Sequence, residues 1–426
     1  MKAGLGTAVR LPASGNLRWT VVALLFAATV FNYFDRQMLG ILKPLLSTEL
    51  GWSELQYADI VFWFQAAYAL GYLGFGRFVD RFGARTGYVV AFMIWSAAQI
   101  AHGAARTIGH FACARIVLGI GEGGAYPAGL AAIAQWFPKK ERALATGLFN
   151  AGVNIGTVLT FLVVPMIVLR LGWRAAFVLT GAVGLVWLAA WFMLYRAPRA
   201  QKRLSAAELA YIESDRADSS VSISWGQVLR KRESWGYAIG KFLIDPIWWM
   251  YLFWLPDFFA KRHGLDLKSF GPPLIAIYLL SDVGNVAGGW FSSSLIKRGL
   301  SVNRARKTTM LICALLATPV ALAMNVDNLW VAVGIVGLAA ASHQAFSVNL
   351  FTLPSDLFPR TAVGSVVGMG GMLGAIGGMA MAKYAGWVLE RLGTYTPIFI
   401  VAASVYFLAL LTVHFLAPRM DPVEFE

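Results

Sequence analysis

Long apolar runs separated by short polar stretches make up most of the chain. A helix that crosses the hydrocarbon core of a membrane needs about 20 mostly apolar residues, and twelve runs meet this requirement. Apolar and polar residues do not alternate with a period of two, which argues against a transmembrane barrel. The pattern predicts spans near 19–42, 56–76, 87–105, 110–134, 143–168, 174–195, 236–260, 270–295, 306–325, 328–352, 362–388 and 395–417.

One polar stretch, 196–235, is much longer than the others and divides the spans six and six. Within it, Ser205-Ala-Ala-Glu208 has the spacing of a capping box, which predicts the start of a short amphipathic helix. We therefore predict an N-terminal six-helix bundle over 1–195, a cytoplasmic linker over 196–235 and a C-terminal six-helix bundle over 236–426.

The two halves share a repeat at a fixed offset of 221 residues. The offset places Phe137-Pro138 on Phe358-Pro359, Gly147 on Gly368, Gly156 on Gly377, and Arg170-Leu171-Gly172 on Arg391-Leu392-Gly393. Agreement at all four places under one offset is not expected by chance. Two parallel six-helix repeats place a substrate site at their interface, near the middle of the membrane.

Composition and charge agree with a membrane protein. Hydrophobic residues make up 58% of the chain and charged residues 14%, too few to cover a soluble surface. The net charge of +14 is typical of nucleic-acid binding, but the Lys and Arg residues concentrate in loops on one side of the spans. This bias predicts that both termini face the cytoplasm, and we expect no nucleic-acid partner. Cys113 and Cys313 lie inside apolar runs and form no disulfide framework or metal-binding spacing.

Six of the charged residues inside the apolar runs are candidates for a functional role. Each costs about 2.5–3.5 kcal/mol at the centre of a spanning helix, so such residues face a cavity or one another and by default mark a transport pathway. They are Asp35, Arg36, Arg115, Glu122, Lys241 and Asp245.

Asp35 and Arg36 are adjacent on the first predicted helix and point about 100° apart around its axis. Each is therefore expected to find a partner on another helix. We predict Asp35 as a proton site and Arg36 as a ligand of a substrate carboxylate; the alternative is a structural salt bridge between helices.

Arg115 and Glu122 lie seven residues apart on the fourth helix, so they share a face about 10 Å apart along the axis. A guanidinium binds a carboxylate through two parallel hydrogen bonds, which makes Arg115 a second candidate ligand. Glu122 is expected to lack a close cation on its face and to carry a proton near neutral pH. Alternatively, these residues lock the fourth helix to the first. We expect deprotonated Asp35 or Glu122 to occupy Arg36 or Arg115, and protonation to release the arginine.

Lys241 and Asp245 are four residues apart on the seventh helix and are therefore neighbours. They either neutralise each other beside Pro246, or Lys241 offers a positive charge to an anionic substrate.

Aromatic and neutral polar residues in the runs complete the candidate site. Rings can stack on a sugar or donate a hydrogen bond, and amides and hydroxyls can recognise its hydroxyl groups, although each is equally consistent with packing. The candidates are Tyr33, Tyr68, Trp248, Trp249, Asn150, Asn154, Gln344, Ser347 and Asn349. The repeat offset places His343 at the equivalent of Glu122, either as a proton relay or as a hydrogen-bonded structural histidine. Asp282 and Lys383 also lie in apolar runs and receive no role.

The loop Gly76-Arg-Phe-Val-Asp80-Arg81-Phe-Gly83-Ala-Arg85 resembles the signature of the major facilitator superfamily, and its C-terminal counterpart, 289–298, is degenerate. We expect Asp80 and Arg81 to brace the cytoplasmic gate, since a carboxylate at one helix end can interact with the dipole of another. Within the superfamily the chain resembles the anion:cation symporters over almost its whole length, and bacterial hexuronate transporters most. The residues that carry this likeness are Lys241-Phe-Leu-Ile-Asp245-Pro246-Ile-Trp248-Trp249, Trp254-Leu-Pro256, His343-Gln344-Ala-Phe-Ser347 and Ser355-Asp356-Leu-Phe358. Asn32-Tyr33-Phe34-Asp35-Arg36 and the pair Arg115 and Glu122 are similar to galactonate transporters.

The resemblance implies an all-α membrane protein with twelve transmembrane helices in two pseudo-symmetric six-helix bundles. It implies a monomeric symporter of the bacterial inner membrane that imports a small anionic sugar acid, a hexuronate such as glucuronate or galacturonate, with protons as the coupling ion and no cofactor. An aldonate or another organic anion is the alternative substrate. A receptor that binds a sugar acid and an exporter of amphiphilic compounds in exchange for protons are alternative functions, and the buried arginines argue against the exporter. An enzyme is not expected, because the sequence contains no nucleophile–base set, phosphate loop or metal constellation.

Overall fold

A computed structural model describes residues 16–214 and 225–423, and in these two segments the chain is helical and contains no strand. The helices are α1 (Leu17–Leu50), α2 (Glu54–Gly103), α3 (Ile108–Gly123), α4 (Ala125–Trp136), α5 (Lys139–Leu194), α6 (Ala206–Glu213), α7 (Trp225–Arg230), α8 (Arg232–His263), α9 (Gly271–Lys297), α10 (Val302–Ala317), α11 (Leu329–Leu357), α12 (Arg360–Leu392) and α13 (Thr396–Leu416). Short 3-10 helices cover Pro198–Ala200 and Thr318–Asn325.

The twelve predicted spans are confirmed, although they do not correspond one to one with the helices. Both α2 and α5 hold two spans, which meet at Gly83 and Gly172 with φ near +82° and +83°. Only glycine adopts this conformation readily. Conversely, α3 and α4 together form one span, Ile108–Trp136, and α10 with the following 3-10 turn forms another, Val302–Asn325.

The outer surface of the helices suits a lipid environment. Eight helical segments of the described chain are long and apolar enough to cross a membrane by length and composition, and one of them, Leu144–Leu194, holds two spans. Large apolar side chains project outward, with Val186 70%, Trp290 67% and Phe415 71% exposed. A soluble protein would bury such a surface, so this is a multi-pass membrane protein.

Glu208 of the linker fixes the start of α1. The hydroxyl of Ser205 accepts the backbone N–H of Glu208 at 3.1 Å, which confirms the predicted start of α6. The Glu208 carboxylate does not complete the capping box. It accepts the backbone N–H of Arg18 at 3.2 Å and pairs with its guanidinium at 3.2 Å. The start of α1 and the linker therefore share one end of the bundle, the linker end. Residues 1–15 and the part of the predicted linker from 215 to 224 lie outside the described residues.

The predicted repeat appears in the packing of each half. A Cβ atom added to Gly156 on α5 would lie 2.3 Å from the carbonyl oxygen of Val30 on α1. A Cβ atom on Gly377 of α12 would lie 2.3 Å from the carbonyl oxygen of Phe242 on α8. Each half thus packs its fifth span against its first through a glycine, as is common where helices associate closely in lipid.

The two halves are joined at the end of the bundle opposite the linker, the far end. Lys43 of α1 is fully buried, with Nζ 2.7 Å from Asp257 of α8 and 2.6 Å from Glu54 of α2. Lys261 pairs with the same two carboxylates, and Tyr395 donates to Asp257. We call Lys43, Glu54, Asp257, Lys261 and Tyr395 the far-end cluster. It links the two halves at this end.

Candidate functional site

A buried ion pair joins α1 to α3 at the centre of the first half. Nε of Arg36 lies 2.9 Å from Oε2 of Glu122, and neither side chain is appreciably exposed. Nη2 of Arg36 also donates to Asn32 Oδ1 at 3.0 Å. The prediction that Arg36 finds a partner on another helix is confirmed. The expectation that Glu122 lacks a close cation is wrong, because the long Arg36 side chain reaches it from α1.

Four aromatic rings surround the guanidinium of Arg36. Its Cζ atom lies 4.6 Å from the ring centroid of Tyr68, 4.7 Å from Tyr33, 5.5 Å from Trp249 and 5.8 Å from Phe64. Cations at these distances are attracted by the faces of aromatic rings. Trp249 belongs to α8, so this aromatic cage (Tyr33, Phe64, Tyr68 and Trp249) draws on both halves. The structure thus brings together Tyr33, Arg36, Tyr68 and Trp249, which the sequence predicts as ligands.

Arg115 is buried and forms no ion pair with a described residue. It has no exposed surface, and none of its three guanidinium nitrogens has a hydrogen-bonding partner among the described residues. Its Cζ atom lies 5.6 Å from the centroid of Phe64, the ring that also faces Arg36. A buried charge is costly unless it is paired. The planar guanidinium has the geometry to receive a carboxylate through two hydrogen bonds.

Asp35 forms no ion pair with Arg36 or Arg115. Its carboxylate accepts hydrogen bonds from Trp95 Nε1 at 2.7 Å and Gln99 Nε2 at 2.9 Å, both on the second span of α2. Asp35 and Arg36 therefore point apart, as predicted. Of the two carboxylates expected to occupy an arginine, Glu122 does so and Asp35 does not, since two neutral donors already satisfy the Asp35 carboxylate.

In the second half, Lys241 and Asp245 form the predicted pair, with Nζ 2.7 Å from Oδ2. Nζ also lies 3.8 Å from the ring centroid of Phe351. Asp245 thus neutralises Lys241 in this conformation.

His343 is enclosed by aromatic neighbours. Its Nδ1 atom is 3.0 Å from the hydroxyl of Tyr406, and its ring stacks on Trp248 at 5.5 Å between centroids. This arrangement favours the structural alternative for His343 and places Trp248 beside it rather than in the aromatic cage.

The predicted neutral ligands occupy different surroundings. Asn349 donates to the carbonyls of Gly288 at 3.2 Å and Ala345 at 2.8 Å and accepts from Arg306 at 3.3 Å, so its amide is engaged between helices. Ser347 is buried, Gln344 is half-buried and Asn150 is exposed.

Two residues without a predicted role connect the halves. Asp282 of α9 accepts a hydrogen bond from Asn154 of α5, and Lys383 of α12 pairs with Asp59 of α2. The sequence around Asp282 or Lys383 does not predict these partners, because each partner lies in the other half of the chain.

Asp80 and Arg81 lie exposed at the linker end. The Cζ atom of Arg81 is 5.5 Å from the ring centroid of Phe82. Their gate-bracing role stays a prediction.

The sequence analysis missed Gln65 on α2. This residue is 1% exposed and lies between Phe64 and Tyr68 of the aromatic cage. A neutral amide in an apolar run is a weaker sign of function than a charge. Its burial is nevertheless costly, and this cost can be used to predict a functional role.

Comparison with known proteins now identifies the family. Residues 25–382 match the model of the Major Facilitator Superfamily. The chain belongs to this superfamily. It is similar to the hexuronate transporter of Escherichia coli strain K12, with 33% identity over 395 residues that cover 91% of each chain. It is also similar to the D-galactonate transporter of Escherichia coli O6:H1, with 27% identity over 413 residues, 93% of this chain and 95% of the relative.

A bacterial homologue of the human lysosomal transporter Spinster, solved in an inward-facing and occupied conformation, has the same fold. The TM-score is 0.74 at 18% identity, with 95% of this chain and 96% of the other covered. This chain is therefore a membrane transporter and not an enzyme.

Proposed function

We propose that this transporter imports a small sugar acid, a hexuronate such as glucuronate or galacturonate, together with protons. We place it as a monomer in the bacterial inner membrane with the linker end and both termini in the cytoplasm. Its similarity to the hexuronate transporter supports the substrate class. An aldonate is the second candidate substrate, supported by the similarity to the D-galactonate transporter.

The observation that carries the proposal is the unpaired Arg115 beside the caged Arg36. A buried guanidinium without a counter-ion attracts a carboxylate and repels a cation. The aromatic cage around the neighbouring Arg36 supplies flat surfaces for a sugar ring and, through Tyr33, Tyr68 and Trp249, polar groups for its hydroxyls. Together these features fit a ligand with one carboxylate on a polar, ring-shaped body.

Charge balance supports coupling to protons. Arg36 and Arg115 carry two positive charges, and Asp35 and Glu122 carry two negative charges when ionised. A bound carboxylate would leave this buried group with one uncompensated negative charge, which is costly inside a membrane. One proton on Glu122 or Asp35 restores neutrality, so substrate and proton favour each other's binding.

Protonation of Glu122 controls whether Arg36 is free to bind the substrate. Its carboxylate holds Arg36 at 2.9 Å. Protonation converts this carboxylate to a neutral acid, which weakens the pair, and Arg36 then joins Arg115 in binding the substrate carboxylate. Asp35 is a second proton site: when protonated, it loses charge-assisted hydrogen bonds from Trp95 and Gln99. The neutral, loaded site then permits the two halves to rock about it.

Uptake into proteoliposomes tests the proposal. Purified protein would be reconstituted and given an inwardly directed proton gradient with labelled glucuronate, galacturonate or galactonate in parallel. We expect concentrative uptake of a uronate that collapses when a protonophore is added. Uptake of galactonate alone would favour the aldonate. Binding without flux would favour a receptor, and accumulation by Asp35→Asn or Glu122→Gln proteins at the wild-type level would contradict the coupling scheme.

A further inference from the structure

Gln65 is a buried amide that has no partner. Neither its Oε1 nor its Nε2 atom forms a hydrogen bond with any described residue, and both atoms are shielded from solvent. Gln65 lies three residues before Tyr68 on α2, so the two side chains are neighbours on one helix face. A donor and an acceptor are thus enclosed beside the aromatic cage. A buried polar group left unpaired is expensive, and this cost needs a compensating role.

A glycine of the other half makes room for this amide. A Cβ atom on Gly378 of α12 would lie 2.7 Å from Oε1 of Gln65 and 3.0 Å from Cδ1 of Trp249. Both distances are below normal van der Waals contact, so a side chain at position 378 would displace the amide, the Trp249 ring or both. Trp249 is the ring that faces Arg36 at 5.5 Å. The Trp249 ring therefore lies close to both the Gln65 amide and Arg36, the residue proposed to bind the substrate carboxylate.

We infer that Gln65 is a specificity-determining residue of the central site, whose amide hydrogen-bonds a hydroxyl group of the sugar acid. This inference rests on the proposed function. Gly378 and the edge of Trp249 cover the amide in the present conformation, and separation of α2 from α12 at the far end uncovers it. An amide suits this task because it can donate and accept, as a sugar hydroxyl does.

Holding the far end closed is a different task, which other residues perform. Gln37 Nε2 donates to the carbonyl of Leu252 at 2.6 Å, and the hydroxyl of Tyr57 donates to the carbonyl of Phe253 at 2.8 Å. These bonds cross between the halves, whereas Gln65 makes none. Gln37 is therefore a matched control: it is a buried glutamine between the halves whose amide nitrogen already has a partner.

The test is a binding cycle between protein variants and ligand variants. Calorimetry would measure the affinity of D-glucuronate and of its 2-, 3- and 4-deoxy analogues for the wild type, Gln65→Leu and Gln37→Leu. We expect Gln65→Leu to weaken D-glucuronate binding about tenfold. One deoxy analogue, which lacks the recognised hydroxyl, should bind the wild type and Gln65→Leu equally. Gln37→Leu should show no such selectivity.

Two results would overturn the inference while leaving the proposed function intact. Gln65→Leu could bind every ligand as the wild type does, or it could weaken all of them by one common factor, which would indicate a general effect on helix packing. Gln65→Met keeps the length of the side chain and repeats the comparison should the leucine variant fold poorly. If the wild type binds neither D-glucuronate nor galacturonate nor galactonate, the proposed function itself fails, and this inference fails with it.

Discussion

The two central arginines have opposite surroundings. Arg36 is paired with Glu122 and enclosed by four rings, whereas Arg115 has no hydrogen-bonding partner among the described residues. For a residue that serves stability alone, an unpaired buried charge is a poor choice. Natural proteins retain such costly groups at functional sites, where activity and stability conflict. Removal of each charge should therefore affect stability to a different extent.

We predict that Arg115→Met costs less thermal stability in detergent than Arg36→Met, although it abolishes uptake. Arg115 donates no hydrogen bond to a described residue, so its removal leaves no buried acceptor without a partner. Arg36→Met is the matched comparison, because it strands Glu122 and should destabilise by about 3–5 kcal/mol. Thermal unfolding of the purified variants measures both. A marked loss of stability in Arg115→Met would show that Arg115 has a structural partner.

For single residues, the sequence identifies the buried charges but not all of their partners. Lys241 and Asp245 were predictable as a pair because both lie on one helix, four residues apart. The partners of Asp35 are Trp95 and Gln99, sixty or more residues away on α2. Their choice depends on how the helices are arranged around α1, which local spacing does not encode. Gln65 carries no charge and so gave no comparable signal.

Among the helices, glycines set how closely the first and fifth spans of each half approach. Apolar side chains gain little from association within lipid, so close van der Waals packing carries more of the stability. Gly156 and Gly377 occupy equivalent places under the 221-residue repeat and face backbone carbonyl oxygens at the same distance. A backbone oxygen cannot move aside without shifting the helix.

We predict that Gly156→Ala and Gly377→Ala each destabilise the protein by about 1–3 kcal/mol, the usual cost of overpacking. Gly147 on α5 and Gly371 on α12 are matched controls, since a Cβ atom at either position would have no atom within 4 Å. Alanine there should be neutral or slightly stabilising, because it lowers the entropy of the unfolded chain. Unfolding temperatures of the four variants compare the pairs, and equal effects at all four positions would refute this packing account.

The spans themselves were predictable because membrane thickness fixes the length of an apolar run. The breaks and turns within the helices were less predictable. The tight reversals at Gly83 and Gly172, the interruption between α3 and α4 and the 3-10 turn at Thr318–Asn325 were not predicted. Hydropathy locates the spans but does not report the backbone conformation within and between them.

For the whole molecule, the far-end cluster holds the two halves in one relative position. Lys43 is fully buried and contributes a positive charge between Glu54 and Asp257, which belong to different halves. Its removal would leave two neighbouring carboxylates with Lys261 as their remaining cation in this cluster. The closed far end should then lose stability relative to an open one.

We predict that Lys43→Met shifts the population toward opening at the far end. Spin labels attached through Thr48→Cys and Arg391→Cys in a cysteine-free background would report the distance between the halves, and the variant should add a longer-distance population. Arg174→Ala is the control, because Arg174 pairs with Glu49 within the first half at 3.4 Å on the protein surface. An unchanged distance distribution in Lys43→Met would show that the far-end cluster does not control the equilibrium.

Release of Arg36 by protonation of Glu122 is the central claim, and the pH dependence of substrate affinity tests it most directly. Calorimetry would measure D-glucuronate binding to the wild type and to Glu122→Gln from acidic to alkaline pH. In the wild type the binding-competent fraction should fall about tenfold per pH unit once Glu122 is mainly ionised, so the apparent Kd rises with pH. Glu122→Gln should bind with an affinity that changes little over the same range. If the variant retained the wild-type dependence, the proton that promotes binding would act elsewhere, and the claim would be wrong.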